Sequence, residues 1–245
     1  MKKKIIGVIC ILLIVLASIS FIGYKVYLLN AYNTKEFDNN YLYFLDILKK
    51  KDTYTIKNNN KQISDYLKYD KLKIGNMFKN YVLQEQTHSN LIEYHLYENN
   101  KTTASVVILE TNPIYKSEIY KDEEKISIDN ILKRHNLNNT LDLFEYLSKN
   151  KNNNLNIFSS KEDIKETYAI KKGLSDAYGN IEDKNNKIKG ITFIDGKYKG
   201  YLITYPSNYE ITILNGNKDY VISLINTKLS KQEVYDLLNT INIEK

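Results

Sequence analysis

One cysteine, one arginine and no tryptophan stand in 245 residues. The cysteine, Cys10, falls inside an N-terminal apolar run. The chain therefore has no disulfide framework, no thiolate metal site and no cysteine nucleophile in water. A domain without such staples must be stabilised by its core, and the roughly 210 residues beyond the run are enough for one. Arg134 is the only arginine. A nucleic-acid footprint needs a clustered basic face, usually with Arg to read bases. The formal net charge of +6 does not supply one. Lys2, Lys3, Lys4 and Lys25 flank the apolar run, and removing them leaves 31 basic against 29 acidic residues, a net of +2. Those charges are interspersed, as in KDEEK and SSKEDIKE. No nucleic-acid partner is expected.

Catalytic signatures are missing as well. There is no Gly-x-Ser-x-Gly elbow, no His-Glu-x-x-His and no phosphate-binding P-loop. Ser148-Lys-Asn-Lys151 has Ser-x-x-Lys spacing, but it lies at the Lys/Asn-rich end of an expected helix without companion motifs. Asp122-Glu123-Glu124 reads as an exposed charge run. Of the three histidines, His88 belongs to a turn and His135 to the polar end of a short helix. Glu93 and His95 share one strand face with His88 nearby across the turn, a weak trio that falls short of a zinc set. These residues read as a solvated sheet face, and no catalytic, cofactor-binding or metal-ligating residue is assigned. Abundant Lys, Asn, Ile and Tyr reflect A/T-rich codons, so the 22 tyrosines do not by themselves indicate a sugar-stacking surface.

What is present begins with Ile5 to Gly23, 19 residues without a charge. As a helix rising ~1.5 Å per residue the run spans ~28 Å, close to the ~30 Å hydrocarbon core of a bilayer. Three lysines before it and one after it predict a cytoplasmic N-terminus and an exterior C-terminal domain. Ser18-Ile19-Ser20 would serve as a cleavage site in a signal peptide, but apolar character continues through Phe21, Ile22, Val26, Leu28 and Leu29. A lipoprotein is excluded because Cys10 follows only five apolar residues. A retained anchor is expected.

Beyond it, Phe37, Tyr41, Phe44, Leu45 and Leu48 form one helical stripe, and KQISDYLKY reads as a weaker helix. NYVLQEQ, NLIEYHLYE and TASVVILET are strand-like runs joined by the polar links THSN and ENNKT. SIDNILKRHN and NNTLDLFEYLSKN are helical. A stronger helix opens at SSKED, through Ser159 with Glu162 or Ser160 with Asp163, and runs to about Tyr178. Four alternating strands follow, punctuated by Asp195-Gly196, Pro206 and Asn215-Gly216. Ser230 and Glu233 then cap a helix with Val234, Leu237, Leu238 and Ile241 on one side. The expected fold is α+β, an antiparallel sheet of about seven strands packed with amphipathic helices. Residues 1–4 would be a cytoplasmic tail, 5–23 a transmembrane helix with an apolar extension to 29, and 34–126 and 127–245 two α+β segments.

The anchor, the strand meander and the closing LSKQEVYDLLNTI helix resemble uncharacterised single-pass membrane proteins of low-GC Gram-positive bacteria. The likeness covers residues 127–245 and implies neither an activity nor a functional residue. The sheet-and-helix layout is also similar to PsbP-like folds, an analogy of fold alone. The expected function is a membrane-anchored extracytoplasmic binding or interaction module of the cell envelope, with an envelope protein as partner. Its rivals are an envelope hydrolase whose site one sequence does not show and a small regulatory or immunity-type membrane protein. A deep pocket with convergent polar groups would favour the enzyme and a flat exposed apolar patch the binding module.

Overall fold

A computed structural model describes residues 2–57, 65–98, 101–113, 116–149, 155–178 and 187–244, with side chains from Leu13 onward. Helix α1 (Lys2–Ala31) contains the expected Ile5–Gly23 run and continues eight residues past it. Leu13–Ala31 is long and apolar enough to cross a membrane, and most of its side chains are exposed. Among the described residues, α1 meets the rest of the molecule at its C-terminal end, through buried Lys25 and Leu28 and through Tyr32 just beyond it. Cys10 lies among the residues whose side chains are outside the description. Helix α2 (Lys35–Lys49) then buries Tyr41, Phe44, Leu45 and Leu48, the stripe its 3.6-residue period requires.

The chain next forms β1 (Asp52–Ile56), β2 (Tyr66–Tyr69) and β3 (Leu72–Gly75). Three longer strands follow, β4 (Val82–Thr87), β5 (Leu91–Glu98) and β6 (Lys101–Thr111), and a short hairpin of β7 (Glu118–Lys121) and β8 (Glu124–Ser127). Three helices come next, α3 (Ile128–Arg134), α4 (Thr140–Lys149) and α5 (Lys161–Tyr178). The C-terminal part holds β9 (Gly190–Gly196), β10 (Gly200–Thr204), β11 (Asn208–Asn215) and β12 (Lys218–Ile225), then α6 (Lys231–Leu238) and β13 (Asn242–Ile243).

The fold is α+β, but its main sheet has eight strands rather than about seven, in the order β1-β9-β10-β11-β12-β6-β5-β4. All seven expected runs are in it. The additional strand, β1, pairs in parallel with β9, so the sheet is mixed rather than antiparallel. Only Ile56 of β1 is buried, so this edge strand carries no alternating apolar signal. A second correction concerns KQISDYLKY. Residues 61–64 lie outside the description, but Tyr66–Tyr69 is strand, paired with β3. Leu67, Leu72 and Ile74 are buried at strand spacing, and Asp70 takes a positive φ of 49° in the turn. The hairpin chemistry outweighs the helical reading.

Asp195-Gly196 is not the centre of a tight turn either. Ile194 pairs with Gly200, so the connection is longer. Gly196 instead has φ +100°, and an added Cβ would lie 2.8 Å from the Ile56 carbonyl oxygen. Its lack of a side chain admits β1. Asn215 pairs with Lys218 around Gly216 at φ +70°, the tight hairpin the dipeptide implies.

The main sheet is covered on both sides. On one, Ile191, Tyr201 and Ile203 join the core formed by α2, α4 and α5. Phe44 stacks on Tyr178 at 5.1 Å, and Phe144 meets Tyr201 edge-on at 5.2 Å. On the other, Ile211, Ile213, Ile222 and Leu224 pack with Val234, Leu237, Leu238 and Ile241 around α6, and with Leu67, Leu72 and Ile74 of the small β13-β3-β2 sheet.

Candidate functional site

The helical layer covers only part of its face. Among the main-sheet strands, its core reaches β9, β10 and Leu214 of β11, and stops. Pairing registers show what lies beyond. Glu210, Ser223, Val107, Glu93 and Gln86 form one row across β11, β12, β6, β5 and β4. Asn208, Ile225, Ser105, His95 and Gln84 form the next, and Val221, Leu109 and Leu91 a third. Cross-strand partners point to the same side, so these residues make one surface. Val107, Leu109, Val221 and Ile225 are only half-buried and belong to neither core. The result is an apolar strip of sheet with Glu93, His95, Gln84, Gln86 and Glu210 at its margins.

Where this surface meets the C-terminal end of α5 it deepens into a cleft of about 350 Å³. Asp176, Ala177 and Tyr178 form one wall; Tyr205, Asn208, Glu210, Ser223 and Ile225 are among the residues facing them. Burial raises the pKa of Glu210 above its ordinary value. The adjoining phenols respond in the same direction. Burial pushes Tyr201 up to about 12. Tyr178 and Tyr205 are raised chiefly by burial, with the negative charge of Glu210 adding to it. Tyr178 Oη donates to Tyr201 Oη at 3.5 Å. Asp176 is paired with Lys172 at 2.9 Å. The described lining contains no lysine, arginine or histidine. Such a cleft suits a group that donates hydrogen bonds or carries positive charge.

The histidines fall in separate places. His95 Nδ1 is 3.5 Å from Glu93 Oε1, and its Nε2 is 3.3 Å from Gln86 Oε1. His88 is exposed in the β4–β5 turn, where its backbone N–H donates to the Leu91 carbonyl. Among the described residues no three His, Cys, Asp or Glu side chains gather to hold a metal. Ser148 Oγ donates to the Glu145 carbonyl on exposed α4 surface, and Lys151 lies outside the description. Of the acidic run, Asp122 and Glu123 occupy the β7–β8 turn. Glu124 instead accepts from Tyr32 and Lys165.

His135 is not the solvated helix end its position suggests. Its Nε2 is 2.6 Å from Glu166 Oε1, and its ring lies 4.5 Å from that of Tyr146. Arg134 Nη1 donates to Glu166 Oε2 at 3.1 Å, and the same guanidinium pairs with Asp163. Glu166 is 6% exposed. The cluster clasps α3 to α5, and its buried carboxylate is fully engaged by two partners.

Sequence reasoning did not find Glu210 or Glu166. Glu210 alternates with Tyr209 and Ile211, which marks it as solvent-facing; only the approach of α5 encloses it. Glu166 occupies a polar step of α5, and its cationic partners stand about thirty positions earlier. No local pattern carries either. No protein-family model matches the chain, and no curated protein matches it.

Proposed function

We propose that the protein is a membrane-anchored, extracytoplasmic binding module whose open sheet surface and adjoining cleft receive an envelope partner. The observation that carries this reading is the strip formed by Val107, Leu109, Val221 and Ile225, half-exposed and outside both cores. Apolar surface of this kind, rimmed by polar residues, marks interaction sites. The flanking charges support the orientation, with Lys2, Lys3 and Lys4 on the cytoplasmic side of α1. The layout supports a presenting role. Helices α2 and α5 climb together from the end of α1, linked by Asp38–Lys171, Asn40–Ser175 and Phe44–Tyr178. The cleft lies at the far end of α5, whose 18 residues span about 27 Å at ~1.5 Å per residue. The binding surface is thereby held away from the anchor.

Catalysis would need more than Glu210. Ser223 stands opposite it on the neighbouring strand, but the described lining offers no histidine or lysine to activate a nucleophile. Photocrosslinking from position 221 of the full-length protein in intact cells tests the proposal. A discrete protein adduct should form, and changing Val107 and Ile225 to Lys should abolish it while the unfolding temperature holds. Adducts that persist in that variant, or no adduct from 221 when other surface positions give one, would refute the binding surface.

A further inference from the structure

The turn before α5 places a large apolar side chain beside the end of the apolar helix. Phe158 is 82% exposed, the highest value among the described large hydrophobic residues. Its exposure is built in. Asn156 N–H donates to Ser159 Oγ at 3.0 Å, Phe158 N–H to Asn156 Oδ1 at 2.8 Å, and Ser159 N–H to the Asn156 carbonyl at 3.0 Å. These bonds close a tight turn that points Phe158 outward, while Leu155 packs on the helical core. The turn is tethered to α1. Lys25 Nζ donates to the Ser159 carbonyl at 2.6 Å, and Lys25 is only 8% exposed. Lys25 is two residues past Gly23, where the uncharged run ends. At ~1.5 Å per residue that is about 3 Å beyond the run. Tyr24 and Tyr27, both exposed, stand at the same level of the helix.

We infer that the 155–160 turn is a second membrane contact, in which Phe158 enters the lipid interface beside α1 and, with Tyr24 and Tyr27, forms an aromatic anchor. The inference rests on the proposal that α1 spans the bilayer. Aromatic side chains favour the headgroup level, where an apolar ring can be buried while neighbouring polar groups stay wet. The Lys25 ammonium meets the turn at that depth, which fixes the height of Phe158. The consequence is an orientation. One end of α5 is held at the lipid surface, and the cleft at its other end faces away from it.

The absence of native tryptophan makes the test direct. Full-length Phe158→Trp, reconstituted in phosphatidylcholine–phosphatidylglycerol vesicles, is compared with Ile14→Trp in the apolar run and Val82→Trp on the exposed edge strand β4. Lipids brominated near the top of the acyl chains serve as quencher for 158 and 82, and lipids brominated near the chain ends serve as quencher for 14, which lies at the middle of the run. The expected result is blue-shifted emission and strong quenching at 158, approaching that at 14, with little at 82. Solvent-like emission at 158 with quenching at 14 overturns the second contact and leaves the anchor standing. Equal quenching at 158 and 82 also overturns it, because the domain would then adsorb without a fixed orientation. Absence of quenching at 14 refutes the spanning helix, and the inference falls with it.

Discussion

Asp219 lies in the β11–β12 hairpin, 3% exposed, accepting one backbone N–H from Asn215 at 3.3 Å. Burial raises its pKa from 3.8 to about 6, against smaller lowering effects of that N–H and of Lys116. A carboxyl raised on folding contributes stability that is complete below its unfolded pKa and lost as pH rises through the folded one. Its ionisation should therefore cost on the order of 2 kcal/mol between about pH 4 and pH 7. Asp219→Asn should be more stable than the wild type near neutrality, and the advantage should vanish in acid. Urea unfolding at the two ends of that range checks this, and an advantage independent of pH would count against it. Glu210 works in the same direction through its own burial. Gly200 gives a steric prediction: a Cβ there would lie 2.0 Å from the Thr212 carbonyl oxygen, whereas at Gly190 nothing lies within 4 Å. Gly200→Ala should lose roughly 3 kcal/mol or more, and Gly190→Ala under about 1. Comparable losses would remove the clash argument.

Helix α6 shows how short elements depend on both their caps and their packing. Ser230 and Glu233 form a reciprocal capping box, and Val234, Leu237 and Leu238 are each fully buried. An eight-residue helix is marginal alone, so its apolar face against the sheet must hold it. Leu237→Ala should cost ~2–5 kcal/mol and Ser230→Ala ~0.5–2, both readable by urea denaturation. An unchanged midpoint for Leu237→Ala would contradict the packing. These features were legible because cap and stripe fall within one short window. The start of α5 was legible to within two alternatives, and Ser160 with Asp163 is the pair that forms. Strands β1 and β2 were not. One is an edge strand with a single buried residue, and the other belongs to a hairpin whose Tyr and Lys residues suit either structure.

At the scale of the molecule, one continuous helix carries an eight-stranded sheet whose strands come from both halves of the chain. Protease applied to protoplasts should digest the bulk of residues 34–245, as the proposed topology requires. Mature protein in the medium starting near Phe21 would show a cleaved signal peptide instead. A chelator should leave the unfolding temperature unchanged, since no metal set gathers among the described residues. A drop of several degrees would make His88, Glu93 and His95 candidate ligands again.

Charge-free length, helical stripes, alternation and capping boxes are short-range properties, and from them the sequence by itself determined the apolar N-terminal helix, the α+β class and seven of the eight strands of the main sheet. The exposed or buried state of a polar strand residue depends on what packs over it from far along the chain. Tertiary structure alone therefore decided that α5 encloses Glu210, that His135 and Arg134 converge on Glu166, and that α2 and α5 leave the β12-β6-β5 surface open. The same holds for the tether between Lys25 and Ser159, separated by 134 positions. Local pattern sets which face of an element is apolar, and only the packing of distant elements sets how much of that face stays uncovered.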